Sequence, residues 1–168
     1  VVMVRSKFLE VQREAGRLLA NLCACDAEIA SQTIIENGGH NVLISFLLSR
    51  DVACQRVGTF GIGNLCTHAR HRETLVMARV LAPLSTLVRD VHVNIEIRRF
   101  AILAIVNLSN EGKNHSAFVK DRVLNVIISL ANSEKDVLRQ YAALAVANIA
   151  KNMDFRQEVT EGGGLLCG

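Results

Sequence analysis

The chain has no tryptophan, and Pro83 is the only proline in 168 residues. Aromatic residues make up 4% of it although half of it is hydrophobic, so its core must be built from Leu, Ile, Val and Ala. That composition suits stacked helices, and a single proline leaves little to interrupt them. No stretch alternates polar and apolar residues with period two, so no sheet is expected. No apolar run reaches the ~18 residues needed to span a bilayer, and no signal-peptide pattern is present. The net charge of +3 is mild and does not by itself indicate nucleic acid, whose binders carry a clustered basic face. Gly162-Gly163-Gly164 has no strand before it and is not a phosphate loop. No nucleophile, base and carboxylate can be grouped, so the chain reads as non-enzymatic, with no cofactor.

What is present is a repeat. VQREAGRLLANLCA, CQRVGTFGIGNLCT, IRRFAILAIVNLSN and LRQYAALAVANIAK align on Asn21, Asn64, Asn107 and Asn148, at intervals of 43, 43 and 41 residues. A helical unit recurring at that period is the signature of a solenoid. Each unit reads as a short, a medium and a long helix, the long ones starting near Val11, Val52, Asn94 and Asp136. Asn37-Gly38-Gly39 breaks the chain between short and medium helices, because Gly accepts the left-handed turn that ends a helix.

Placed at about 100° per residue, the side of each long helix opposite the Asn is apolar. In the third copy it holds Ile97, Ala101, Ile102, Ile105, Leu108 and Ser109, and in the fourth Leu138, Ala142, Ala143, Val146, Ile149 and Ala150. Ala15, Gly58, Ala101 and Ala142, six before each Asn, are small enough for helices to approach closely. Cys23 and Cys66 fill the slot of Ser109 and Ala150, and Cys54 fills that of Ile97 and Leu138. With Cys25 and Cys167 the cysteines number five, and an odd count at core slots favours reduced, buried thiols and a cytoplasmic or nuclear setting. Cys66, His68 and His71 have ligand types at close spacing but no second pair nearby, so no metal site is expected. His92 and His115 are isolated.

The three-helix unit, with an apolar residue then Gln or Arg, two small residues and Leu-x-Asn-Leu, resembles the armadillo repeat family. Val11-Gln12, Ala15-Gly16 and Leu19-Ala20-Asn21-Leu22 carry the resemblance, as do Leu138-Arg139, Ala142-Ala143 and Val146-Ala147-Asn148-Ile149. Val80-Leu81-Ala82-Pro83-Leu84 matches part of the second-helix pattern. A two-helix HEAT-type array is the alternative fold. The resemblance implies an all-α, right-handed superhelix filling residues 1–168. It would comprise a partial repeat at 1–25, repeats at about 26–67, 68–110 and 111–151, and a partial repeat at 152–168. Both ends read as cut, so apolar faces at Val1–Val4 and Gly164–Cys167 are expected to favour self-association. The family's corner Gly is Arg79 and Arg122 in the middle units, where a looser corner or another geometry is expected.

The resemblance further implies that the long helices line a concave groove that holds an extended segment of a protein partner. Residues eight, four and zero before each Asn share one face. They are Arg13, Arg17 and Asn21; Arg56, Phe60 and Asn64; Arg99, Leu103 and Asn107; and Gln140, Leu144 and Asn148. Glu14, Val57, Phe100 and Tyr141 lie beside them. An amide carries donor and acceptor together and can pair with any peptide backbone. The Arg row suits an acidic or phosphorylated segment. The Asn row can equally fix neighbouring repeats, the Arg row can be a solvated helix face, and the aromatics can belong to the core. The Trp that importin-alpha proteins place four before the Asn is here Arg17, Phe60, Leu103 and Leu144, a departure from a nuclear-transport cargo adaptor. An interaction scaffold is the leading expectation, with a structural part of a cytoskeletal or ciliary assembly as its alternative.

Overall fold

A computed structural model describes residues 8–25, 28–133 and 137–163. The ends Val1–Val4 and Gly164–Cys167 lie outside the described residues. Among the described residues there are helices and no strands. They run α1 Leu9–Cys23, α2 Glu28–Glu36, α3 Gly39–Leu47, α4 Val52–Thr67, α5 Ala69–Met77, α6 Leu81–Arg89 and α7 Ile95–Ser109, then α8 His115–Lys120, α9 Val123–Asn132, α10 Arg139–Ala150 and α11 Arg156–Gly163. Single 3-10 turns, Gly112–Asn114 and Met153–Phe155, lead into α8 and α11.

The long helices form one continuous layer, since α1 packs on α4, α4 on α7 and α7 on α10. The medium helices α3, α6 and α9 pack against one another in a second layer and against α4, α7 and α10. Between the layers lies one core that includes Leu43, Leu47, Ile62, Leu84, Ile102 and Leu108. Small residues set the layer spacing. A Cβ on Gly58 would stand 2.8 Å from both the Leu43 carbonyl oxygen and Phe46 Cβ, and one on Gly61 would stand 2.8 Å from Leu43 Cδ1. These glycines let α3 lie directly on α4, where any side chain would force the helices apart.

The apolar side expected of α7 is buried throughout. In α10 it is not: Ala143 is exposed while Ala145 and Asn148 are buried. Among the described residues only the short α11 follows α10, so the side that α7 turns to a full neighbour is less covered there. Leu18, Leu22 and Ile29 in α1 and α2 are exposed as well.

Two corners correct the expectation from sequence. Arg79 has φ +66° and Arg122 φ +58°, the same left-handed turn that Gly38 makes at φ +70°. The geometry is thus kept without glycine, at about 1–2 kcal/mol per corner, because burial of Val80, Leu81, Val123 and Leu124 just beyond holds the chain there.

Candidate functional site

Caps and clamps fix the long helices relative to one another. Asp51 caps α4 by accepting from the Cys54 N–H at 2.9 Å, and Asn94 caps α7 by accepting from the Glu96 N–H at 2.8 Å. The Asp51 carboxylate also accepts from Arg13 Nε at 3.1 Å and from Arg13 Nη2, tying α1 to the start of α4. The Arg13 guanidinium and the Cys54 amide hold its carboxyl well below the usual carboxylate range. Arg98, which the sequence reading did not single out, is buried and donates from Nε and Nη2 to the Val88 carbonyl at 3.0 and 2.8 Å. It joins the C-terminal end of α6 to α7, where a cation also suits the helix dipole. The one available signal was its place in the repeat, shared by Gln12, Gln55 and Arg139.

The stripe expected to face a partner is graded along the molecule. Asn21 is exposed, Asn64 and Asn107 are half-buried, and Asn148 is buried. Asn148 Nδ2 donates to Ser109 Oγ at 3.0 Å and its Oδ1 accepts from Lys151 Nζ at 3.3 Å. Its amide is therefore committed to joining repeats, not to an open groove. Asn64 Nδ2 is also buried but has no hydrogen-bond partner among the described residues. It borders a cavity of about 190 Å³ between α4 and α7, with Asn107, Leu103 and Thr67.

The arginines do not form a row of free forks. Arg13 pairs with Asp51, Arg17 with Glu14 at 2.5 Å, and Arg56 with Glu96 at 2.8 Å. Arg99 is exposed and no carboxylate among the described residues pairs with it. Gln140, Tyr141 and Leu144 are exposed.

Between these charges the stripe opens into a larger cavity of about 760 Å³. Ala20, Val57, Phe60 and Phe100 supply its apolar walls, and Arg17, Arg56 and Glu96 supply polar ones. Phe60 and Phe100 meet edge to face with ring centroids 5.4 Å apart, and both remain half-buried. Phe60 is also packed on the core, and both rings line this cavity and the smaller one beside Asn64.

Cys23, Cys54 and Cys66 are buried and Cys25 is exposed. Burial pushes the Cys23 thiol up to about 12 and the Cys54 thiol to about 11, so neither is a thiolate nucleophile at neutral pH. Cys66 is fully buried and its thiol is pushed up further. His71 is turned inward against Ser31, with Nε2 and Oγ 3.1 Å apart. Among the described residues no group of three His, Cys, Asp or Glu side chains is placed to hold a metal ion.

No family model matches the chain. It is 23% identical to Rap1 GTPase-GDP dissociation stimulator 1-B of Xenopus laevis, over 99% of this chain and 29% of that protein. It is 27% identical to Vacuolar protein 8 of Schizosaccharomyces pombe, over 67% of this chain and 20% of that one. The chain therefore spans less than a third of either relative's length. Among solved structures it matches computationally designed armadillo repeat proteins for modular peptide recognition, with TM-score 0.87 and 22% identity over 98% of this chain and 69% of that. A designed armadillo repeat protein in complex with the peptide (KR)4 matches with TM-score 0.86, 22% identity and the same coverage.

Proposed function

We propose that this chain, whose fold is the armadillo solenoid, is a non-enzymatic scaffold or adaptor that holds an extended segment of a protein partner. The segment would lie along the stripe formed by α1, α4, α7 and α10. The observation that carries the reading is the apolar cavity around Phe60 and Phe100, bordered by the Asn21 amide, with the half-buried amides Asn64 and Asn107 on the smaller cavity that shares those rings. Designed proteins of the same fold are built for peptide recognition, and one holds the peptide (KR)4. In this chain Arg13, Arg17 and Arg56 already neutralise the stripe's own acids and Arg99 has no carboxylate partner among the described residues, which disfavours so basic a ligand. An acidic or phosphorylated segment with apolar anchors suits it better. Arg17, Phe60, Leu103 and Leu144, in the slots where nuclear-transport adaptors carry Trp, weigh against that role. A cytoplasmic location, in association with the cytoskeleton or otherwise, belongs to this proposal. So does self-association, expected at Val1–Val4 and Gly164–Cys167 outside the described residues; Leu18, Leu22 and Ile29 in α1 and α2 are further exposed apolar side chains that would favour it.

A photo-crosslinking amino acid tests the reading when placed at Leu103, exposed on the stripe, or at Met77, exposed on α5. A specific partner should be captured in cells at Leu103 and not at Met77. Capture at Met77 alone would move the binding surface off the long helices and leave the array acting as a spacer.

A further inference from the structure

We infer that the partner segment is bipartite: one large apolar side chain seats in the cavity beside Phe60 and Phe100, and one acidic side chain engages Arg99. This rests on the groove reading above and names the chemistry that reading leaves open. Two independent features carry it, one of shape and one of charge.

The shape is that of an anchor site. The cavity, about 760 Å³, falls within the range of about 300–1,000 Å³ found for ligand pockets. It is large enough for a bulky side chain together with some of its backbone. Val57 and Phe60 of α4 and Phe100 of α7 line it, so it lies across the junction of two repeats. Edge-to-face rings, 5.4 Å apart, form a rigid apolar wall. An incoming aromatic or branched aliphatic side chain gains there both desolvation and ring contact.

The charge pattern sets the second half. Arg13 and Arg56 occupy equivalent positions in successive repeats, and each reaches an acid at the start of the next long helix, Asp51 and Glu96. Arg99 is the next member of that series. The position matching Glu96 in the following repeat is the uncharged Val137, and no carboxylate among the described residues pairs with Arg99; Glu134 and Asp136 beside it lie outside the described residues. Asp51 is mostly buried and bound to both Arg13 and the Cys54 amide, so it is not released easily. Around the cavity charge is therefore balanced from within, and a row of acids in the ligand would find its arginines occupied. Of the four stripe arginines, Arg99, beside Phe100 and one helical turn before Leu103, is the one without a carboxylate partner among the described residues and offers its fork to a ligand carboxylate. A uniformly acidic segment fits this surface less well than one apolar anchor followed by a single acid.

Selection of phage-displayed random peptides, long enough to span two repeats, on the immobilised chain tests this. Wild-type selections should enrich a large apolar residue and an Asp or Glu at a fixed spacing. Arg99→Glu should leave the apolar position unchanged, turn the acidic position to Lys or Arg, and weaken the wild-type-selected peptide about tenfold or more. Ala53→Trp, which fills the cavity from an exposed position, should remove the apolar preference and keep the acidic one. Circular dichroism and thermal melting of both variants should match wild type, since both positions are exposed. Peptides with neither feature, or preferences unmoved by Arg99→Glu, would overturn the inference while Leu103 crosslinking still supported the groove. Recovery of no peptide would overturn it as well, and the groove reading falls with it only when the Leu103 crosslink also fails.

Discussion

Asn148 donates from Nδ2 to Ser109 Oγ across 3.0 Å and 39 positions of sequence. One residue of the repeated Asn row thereby becomes a tie between α7 and α10. Asn64, its counterpart two repeats earlier, has a buried Nδ2 with no partner among the described residues. The same side chain at the same repeat position thus serves different ends, according to what the neighbouring repeat puts beside it.

The two should respond differently to truncation. Asn148→Ala loses a buried hydrogen bond and should cost about 1–2 kcal/mol. Asn64→Ala removes a buried donor that no partner compensates and should stay within about 0.5 kcal/mol of wild type. Urea unfolding of both variants measures the contrast. Equal losses at the two sites would mean that Asn64 also holds repeats together.

The left-handed corners at Arg79 and Arg122 should respond to glycine. Each arginine bears about 1–2 kcal/mol of backbone strain, while a new glycine adds about 0.5–1 kcal/mol of unfolded-state entropy. The Arg79–Asp121 pair, 4.0 Å apart with Arg79 exposed, adds little. Arg79→Gly and Arg122→Gly should each be stabilising by up to about 1 kcal/mol. Gly38→Ala should lose about 1 kcal/mol from conformation alone, because a Cβ there meets nothing closer than 3.6 Å. Thermal melting decides it, and destabilisation by both glycines would show that the arginine side chains themselves secure the corners.

Acid should loosen the α2–α5 region before the rest. Burial holds the His40 imidazole below its ordinary range. His71 is lowered by burial first, then by Arg70 and His68, against a smaller opposing pull from Glu28. Both bind a proton more readily in the unfolded chain. Their contribution to stability is therefore complete above about pH 6.5, the unfolded value, and is lost as pH falls below it. The paired Asp51, also depressed, keeps its contribution until pH falls below about 4. The urea midpoint should drop between about pH 7.5 and pH 5, and His40→Asn/His71→Gln should flatten that drop. A wild-type midpoint constant over the interval would contradict the burial argument.

Much of the fold was legible because helical period and repeat period are both carried by residue type. Gly58, Ala101 and Ala142 could be read as small because packing demands it wherever the helix lies. The site was less legible because it depends on register between repeats. Arg13 and Arg56 read as open charges, and their partners Asp51 and Glu96 stand 38 and 40 residues away, near but not at the repeat period. Arg98 drew no notice in the sequence because nothing local marks the Val88 carbonyl as its destination. The corners failed for the opposite reason: local preference argued against a left-handed Arg79, and the packing of the following helix overrode it.

Hydroxyl-radical footprinting of the chain with a selected peptide is the most direct test of the groove. Phe60, Phe100, Leu103, Tyr141 and Leu144 lie on the stripe, whereas Met77 and Ile29 are exposed on α5 and α2. The peptide should lower oxidation of the stripe residues and leave Met77 and Ile29 unchanged. Protection of Met77 or Ile29 with an unaltered stripe would contradict the account and place the binding surface on the short helices.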